Sequence, residues 1–80
     1  MKKEELYKSY VLSLGEAIRD YALEAKKEKD LSVGRLEEDF ATGYLSGFHR
    51  IVTLMKQHAQ SYDIPLNELS LEDLKEKDLV

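Results

Sequence analysis

The sequence predicts an all-α protein, an antiparallel two-helix hairpin followed by a short C-terminal helix, which dimerises into a four-helix bundle. Three observations support this prediction. Helix-forming residues dominate, and Pro65 is the single proline in 80 residues. Apolar residues recur at steps of three and four over two long segments. Residues typical of turns are concentrated in two places, residues 30–34 and 62–65.

The first helix is expected over about residues 3–29. Its apolar residues follow steps of three and four, which places them on one stripe of an α-helix. The stripe consists of Tyr7, Tyr10, Val11, Leu14, Ile18, Tyr21, Ala22 and Ala25. Three lysines among residues 26–29 stand where the helix dipole favours cations. The turn residues that begin at Asp30 then end the helix.

The second helix is expected over about residues 32–61, with Ser32 or Asp30 as its N-cap. Its apolar residues are Leu36, Phe40, Ala41, Tyr44, Leu45, Phe48, Ile51, Val52, Leu54, Met55, Ala59 and Tyr62. At about 100° per residue they cover an arc of roughly 180°, well above the stripe that is typical of a surface helix. One antiparallel neighbour covers only part of that arc, so a partner subunit is expected to cover the rest.

We therefore expect a homodimer in which two hairpins form a four-helix bundle. A chain of 80 residues without cysteine is near the lower size limit for folding alone and cannot add disulfides. The expected bundle core is Tyr7, Val11, Leu14, Ile18, Tyr21, Phe40, Tyr44, Phe48, Ile51 and Met55.

The expected oligomer contact is Leu36, Gly43, Gly47 and Leu54. Two glycines four residues apart lie on one side of a helix, where the missing side chains let another helix approach closely. For these glycines, close packing within one subunit and a ligand against the bare backbone are the alternatives to a subunit contact.

The C-terminal segment is expected to form a short helix over about residues 70–78. Ser70 and Asp73 have the spacing of a capping box. A helix there would show Leu71 and Leu74 on one side. Two interpretations remain for residues 64–74: their leucines cap the bundle, or the segment is an acidic amphipathic docking peptide.

The charge balance argues against two classes of partner. Twelve basic and sixteen acidic residues give a net charge of −4. Such a chain offers little for neutralising the phosphates of duplex nucleic acid or for binding anionic membranes. No stretch approaches the roughly 20 apolar residues of a membrane span, and no apolar run of secretory type follows the basic start. We therefore expect a cytoplasmic protein without membrane contact.

No group of residues has the spacing of a catalytic, cofactor-binding or metal site. His49 and His58 project onto opposite sides of the second helix, and neither has a carboxylate three residues before it, as a di-iron bundle requires. The serines have no histidine and acid placed to activate them, and no glycine-rich turn offers an oxyanion hole. We expect no enzymatic activity and no cofactor.

The candidate interaction face is the polar side of the second helix, the one locally basic surface of an acidic chain. It consists of His49, Arg50, Thr53, Lys56, Gln57 and Gln60. A solvated face without a partner is the plain alternative. The leading hypothesis is a small adaptor or regulator that acts through protein–protein contacts. The second is a nucleic-acid-associated regulator that uses Arg50 and Lys56 from two subunits, and a small-molecule or metal binder in the bundle core is a less favoured third.

Overall fold

The computed structural model describes residues 2–80. Helix α1 spans Lys3–Leu31 and helix α2 spans Glu38–Ser61, and the two pack against each other as a hairpin. Two 3-10 turns follow, Leu66–Leu69 and Glu76–Leu79. The predicted all-α hairpin is confirmed. Within residues 2–80, neither helix is long and apolar enough to cross a membrane.

The connection between the helices is longer than the sequence suggested, because α2 begins at Glu38 and not near residue 32. Ser32 does not cap α2. Its hydroxyl donates to the carbonyl oxygen of Lys29 at 2.8 Å and so closes the end of α1. Gly34 has φ +80°, a backbone conformation that favours glycine. Its N–H donates to the Glu38 carboxylate at 2.7 Å, which ties the turn to the first residue of α2.

The C-terminal segment, residues 64–80 and hereafter the tail, does not form the predicted helix over 70–78. Ser70 adopts the left-handed conformation with φ +56° and ends the first 3-10 turn. The spacing of the leucines explains the difference. An α-helix would place Leu71 and Leu74 about 60° apart but would turn Leu69 and Leu79 away from them. The irregular tail buries all four leucines at once.

The core lies between the two helices and the tail. It is formed by Ala22, Ala25, Leu45, Val52, Ala59, Leu69, Leu71, Leu74 and Leu79. Small alanines of the helices leave room for the leucines of the tail, and each fully buried leucine contributes roughly 1.5–3 kcal/mol. Of the two interpretations of the tail leucines, the structure supports packing on the chain's own hairpin.

Gly15 is the point of closest approach between the tail and α1. A Cβ atom built on Gly15 would overlap the carbonyl oxygen of Leu69 and lie 2.8 Å from its carbonyl carbon. Since these are backbone atoms, they cannot move away without lifting the whole turn. Glycine is therefore required at position 15 for the first 3-10 turn to lie directly on the helix.

Polar contacts at the rim hold the tail in place. Arg19 donates two hydrogen bonds to the Asp73 carboxylate, at 3.2 and 2.8 Å. Lys26 donates to the carbonyl oxygen of Val80 at 2.6 Å. On the other side, Lys56 donates to the carbonyl oxygen of Leu74. The tail is thus fixed to both helices.

The core predicted from the stripes is not the core of the single chain. Of those ten residues, Ile18, Phe48 and Met55 are partly buried against the true core, and the rest are exposed. The exposed ones are Tyr7, Val11, Leu14, Tyr21, Phe40, Tyr44 and Ile51. In a single copy the tail packs around Leu45 and Val52 instead, and the ten residues stay a prediction for the core of a two-copy bundle.

Candidate interaction surfaces

The hairpin carries a set of exposed apolar side chains that the tail does not bury, hereafter the aromatic face. At one end of this face, Tyr7 lines a depression together with the tail residues Ile64 and Glu68. The exposed members of the aromatic face come from both helices and from the C-cap of α2. They are Tyr7, Tyr10, Leu14 and Tyr21 of α1, Phe40, Tyr44 and Ile51 of α2, and the C-cap residue Tyr62. Within each helix these residues project onto one side at 100° per residue. The partly buried Phe48 lies between the two helices and joins both halves of the face.

Aromatic contacts fix the arrangement of the face near the interhelical loop. The ring of Phe48 lies 6.4 Å from that of Tyr21 on α1 and 5.2 Å from that of Tyr44, the latter edge to face. The Phe40 ring stacks on Tyr44 at 6.1 Å. Pairs with these separations are favourable by roughly 0.5–1.5 kcal/mol each beyond their burial. The rings therefore form an ordered surface that spans both helices.

The exposed area of this face is large for so small a chain. Its six exposed aromatic residues are between 48% and 76% accessible. With about 200 Å² for each aromatic side chain, they present roughly 750 Å². The largest apolar patch of a typical monomer is about 300–600 Å² and is often functional. The summed exposed area of the aromatic side chains on this face is above that range.

Charged residues lie at the two ends of the aromatic face. At the loop end, Glu24 and Glu28 line a shallow depression together with Tyr21, Phe40 and Tyr44. At the opposite end, the Lys3 ammonium stands 5.9 Å from the centre of the Tyr7 ring. The face therefore has two carboxylates at one end and one ammonium group at the other, where the same helical turn also carries Glu4 and Glu5.

The predicted oligomer contact lies at the border of this face. A Cβ atom on Gly43 or Gly47 would meet no atom within 4 Å in the described part of the chain. The interpretation that these glycines serve helix packing within one subunit is therefore wrong. Leu36 lies in the connection before α2 and is fully exposed, and Leu54 is 51% exposed. Their role in a subunit contact stays a prediction.

The predicted polar face of α2 is divided by the tail. The Lys56 side chain is only 15% exposed, and its ammonium lies 3.7 Å from the Glu76 carboxylate in addition to its bond to Leu74. Arg50, Gln57 and Gln60 remain exposed, and His49 and Thr53 are half-buried. Lys56 therefore fastens the tail and presents little charge to a partner.

A groove between α2 and the tail is the feature that the sequence did not indicate. Thr53, Lys56, Gln57 and Gln60 form its helical wall, and residues 64–66 with Glu76 form the other. The Thr53 hydroxyl is buried and has no hydrogen-bond partner within residues 2–80. No sequence signal reveals the groove, because its second wall depends on the irregular path of the tail.

The nucleic-acid alternative depends on two cations, Arg50 and Lys56. The structure leaves Arg50 exposed but pairs Lys56 with the tail. One exposed arginine on this face of each copy is a small charge for neutralising phosphates, since each phosphate contact needs its own cation. Nothing in the surface geometry favours this alternative over protein binding.

The chain is therefore a helical hairpin whose tail packs on one side and whose aromatic face is exposed. Compared with models of known protein families, with curated protein sequences and with solved structures, the chain matches none of them. Its function therefore has to be inferred from its surfaces.

Proposed function

We propose that this chain is a small, non-enzymatic adaptor or regulator of the cytoplasm that acts through protein–protein contacts as a homo-oligomer. The observation that carries the proposal is the aromatic face. Roughly 750 Å² of aromatic surface is ordered by the Tyr21–Phe48 and Tyr44–Phe48 contacts and is left uncovered by the tail. Such a surface is costly to expose to water, so a partner that covers it is favoured.

The two surfaces suit two different contacts. The aromatic face is apolar in its middle and fits a partner that buries it permanently. The groove between α2 and the tail has the amides of Gln57 and Gln60 in its helical wall. Arg50 lines a neighbouring depression that shares Gln57 with the groove. Polar groups beside a small apolar wall, here residues 64–66, are typical of the rim of a reversible protein contact. We assign the adaptor contact to this groove.

Photo-crosslinking in the native host tests the adaptor contact. A benzophenone amino acid replaces Gln57 in the groove or, as a control, Leu23, which lies on the far side of α1 and is 40% exposed. We expect one covalent adduct with a second protein from position 57 and none from position 23. The adduct from position 57 should disappear in a chain that also carries Arg50→Glu. Adducts of the chain with itself alone, or equal adducts from both positions, would contradict the proposal.

A further inference from the structure

We propose that the aromatic face is occupied by a second copy of this chain, with the two hairpins face to face and their loops at opposite ends. This inference rests on the proposed function, which calls the chain a homo-oligomer but does not say which surface joins the copies or how they are oriented.

The exposed area matches what a stable dimer needs. Stable protein interfaces bury about 800 Å² on each partner, and a biological interface should exceed about 1,000 Å² in total. The aromatic side chains alone offer roughly 750 Å² per copy, and the half-exposed Leu14 and Ile51 add to it. Two copies therefore supply a complete interface without any other surface.

The chain is elongated. Its radius of gyration is 14.4 Å, whereas a compact domain of this length has about 12 Å. The extents are 50 × 24 × 17 Å, because α1 alone, with 29 residues, is about 44 Å long. A second hairpin on the aromatic face can therefore pack along the full length of the first.

The end charges decide the orientation. Glu24 and Glu28 flank the face at the loop end, and Lys3 flanks it at the other end. If both loops lay at the same end, four carboxylates would gather there, which is unfavourable. With the loops at opposite ends, Lys3 of each copy points toward Glu24 and Glu28 of the second copy. Charge complementarity therefore favours the head-to-tail arrangement.

Sedimentation equilibrium of matched variants tests the surface. We expect the parent chain to sediment at twice its mass of 9.3 kDa at micromolar concentration. Tyr44→Glu places a carboxylate in the middle of the face and should weaken dimerisation by about 100-fold or more. Leu23→Glu, at a position of similar exposure on the far side of α1, should leave it unchanged. A dimer that survives Tyr44→Glu, or one that is lost with Leu23→Glu, overturns the inference.

A distance measurement tests the orientation without altering the face. Because the chain has no cysteine, a spin label on Arg35→Cys in the interhelical loop is unique. Head-to-tail packing predicts a distance between the two labels close to the 50 Å length of the hairpin. A distance of about 20 Å, two helix diameters, would show the loops at the same end and contradict the proposal.

The failure of this inference is distinguishable from failure of the proposed function. A chain that stays a monomer by sedimentation equilibrium at about 200 µM, where even a weak complex assembles, and that is helical by circular dichroism has no self-association through the aromatic face. That result overturns the dimer and the homo-oligomeric part of the proposed function, but not the adaptor contact. The adduct expected from position 57 does not depend on the dimer, because the groove lies on the other side of α2.

Discussion

Replacing Gly15 by alanine is the most direct perturbation of the fold. In an exposed helix the change would stabilise the chain by about 1 kcal/mol, because alanine has the higher helix propensity. Here the added Cβ overlaps the carbonyl oxygen of Leu69, so the first 3-10 turn has to lift. Exposing Leu69, which is only 8% accessible, costs roughly 1.5–3 kcal/mol. Other tail contacts weaken with it.

The expected balance for Gly15→Ala is a net loss of stability of about 1–2 kcal/mol. Gly43→Ala is the matched control, since its Cβ meets nothing within 4 Å in the described chain. It should raise stability by up to about 1 kcal/mol. Urea unfolding followed by far-UV circular dichroism, at one fixed protein concentration, measures both. A Gly15→Ala chain as stable as Gly43→Ala would refute the reasoning that the tail rests on the helix backbone.

Three further substitutions test how the tail is held. Leu71→Ala removes a fully buried side chain and should lower the free energy of unfolding by about 2–5 kcal/mol in the same assay. Leu31→Ala, at a 64% exposed position, should change that free energy little. Equal effects of the two substitutions would contradict the assigned core. Arg19→Ala removes the two hydrogen bonds to Asp73. Because both side chains are partly solvated, the loss of stability should stay below about 1 kcal/mol and become smaller with added salt. A larger loss, or one that does not depend on salt, would contradict a surface ion pair. Thr53→Val removes a buried hydroxyl that has no hydrogen-bond partner among residues 2–80, so the stability should stay unchanged or rise by up to about 1 kcal/mol. Clear destabilisation would mean that the hydroxyl is hydrogen-bonded in solution.

The helices were predictable because their signal is local. Steps of three and four mark both segments, and the end of α1 at Leu31 lies within two residues of the expected position. The start of α2 was misplaced because Ser32 is a good N-cap by residue type. Whether its hydroxyl serves the following or the preceding helix depends on the path of the turn through Gly34, which local sequence does not encode.

The core was not predictable from periodicity alone. A stripe shows which side chains are apolar, but not which of two apolar sides a tail will cover. Ala22 and Ala25 carry a weak signal because alanine is small, yet both lie in the same buried cluster as Leu71 and Leu74. The groove at Thr53 depends on the same packing. Both features arise from contacts between residues far apart in the sequence.

The wide apolar arc of α2 now divides into two halves with different roles. Leu45 and Val52 face the tail and are buried in a single copy, whereas Phe40, Tyr44 and Ile51 face away from it and are exposed. Substitutions in the first half remove core contacts and act on folding. In the dimer that we propose, those in the second half leave these contacts intact and act on association. Because α2 carries both halves, the tail completes a core within one copy and leaves a second apolar side exposed.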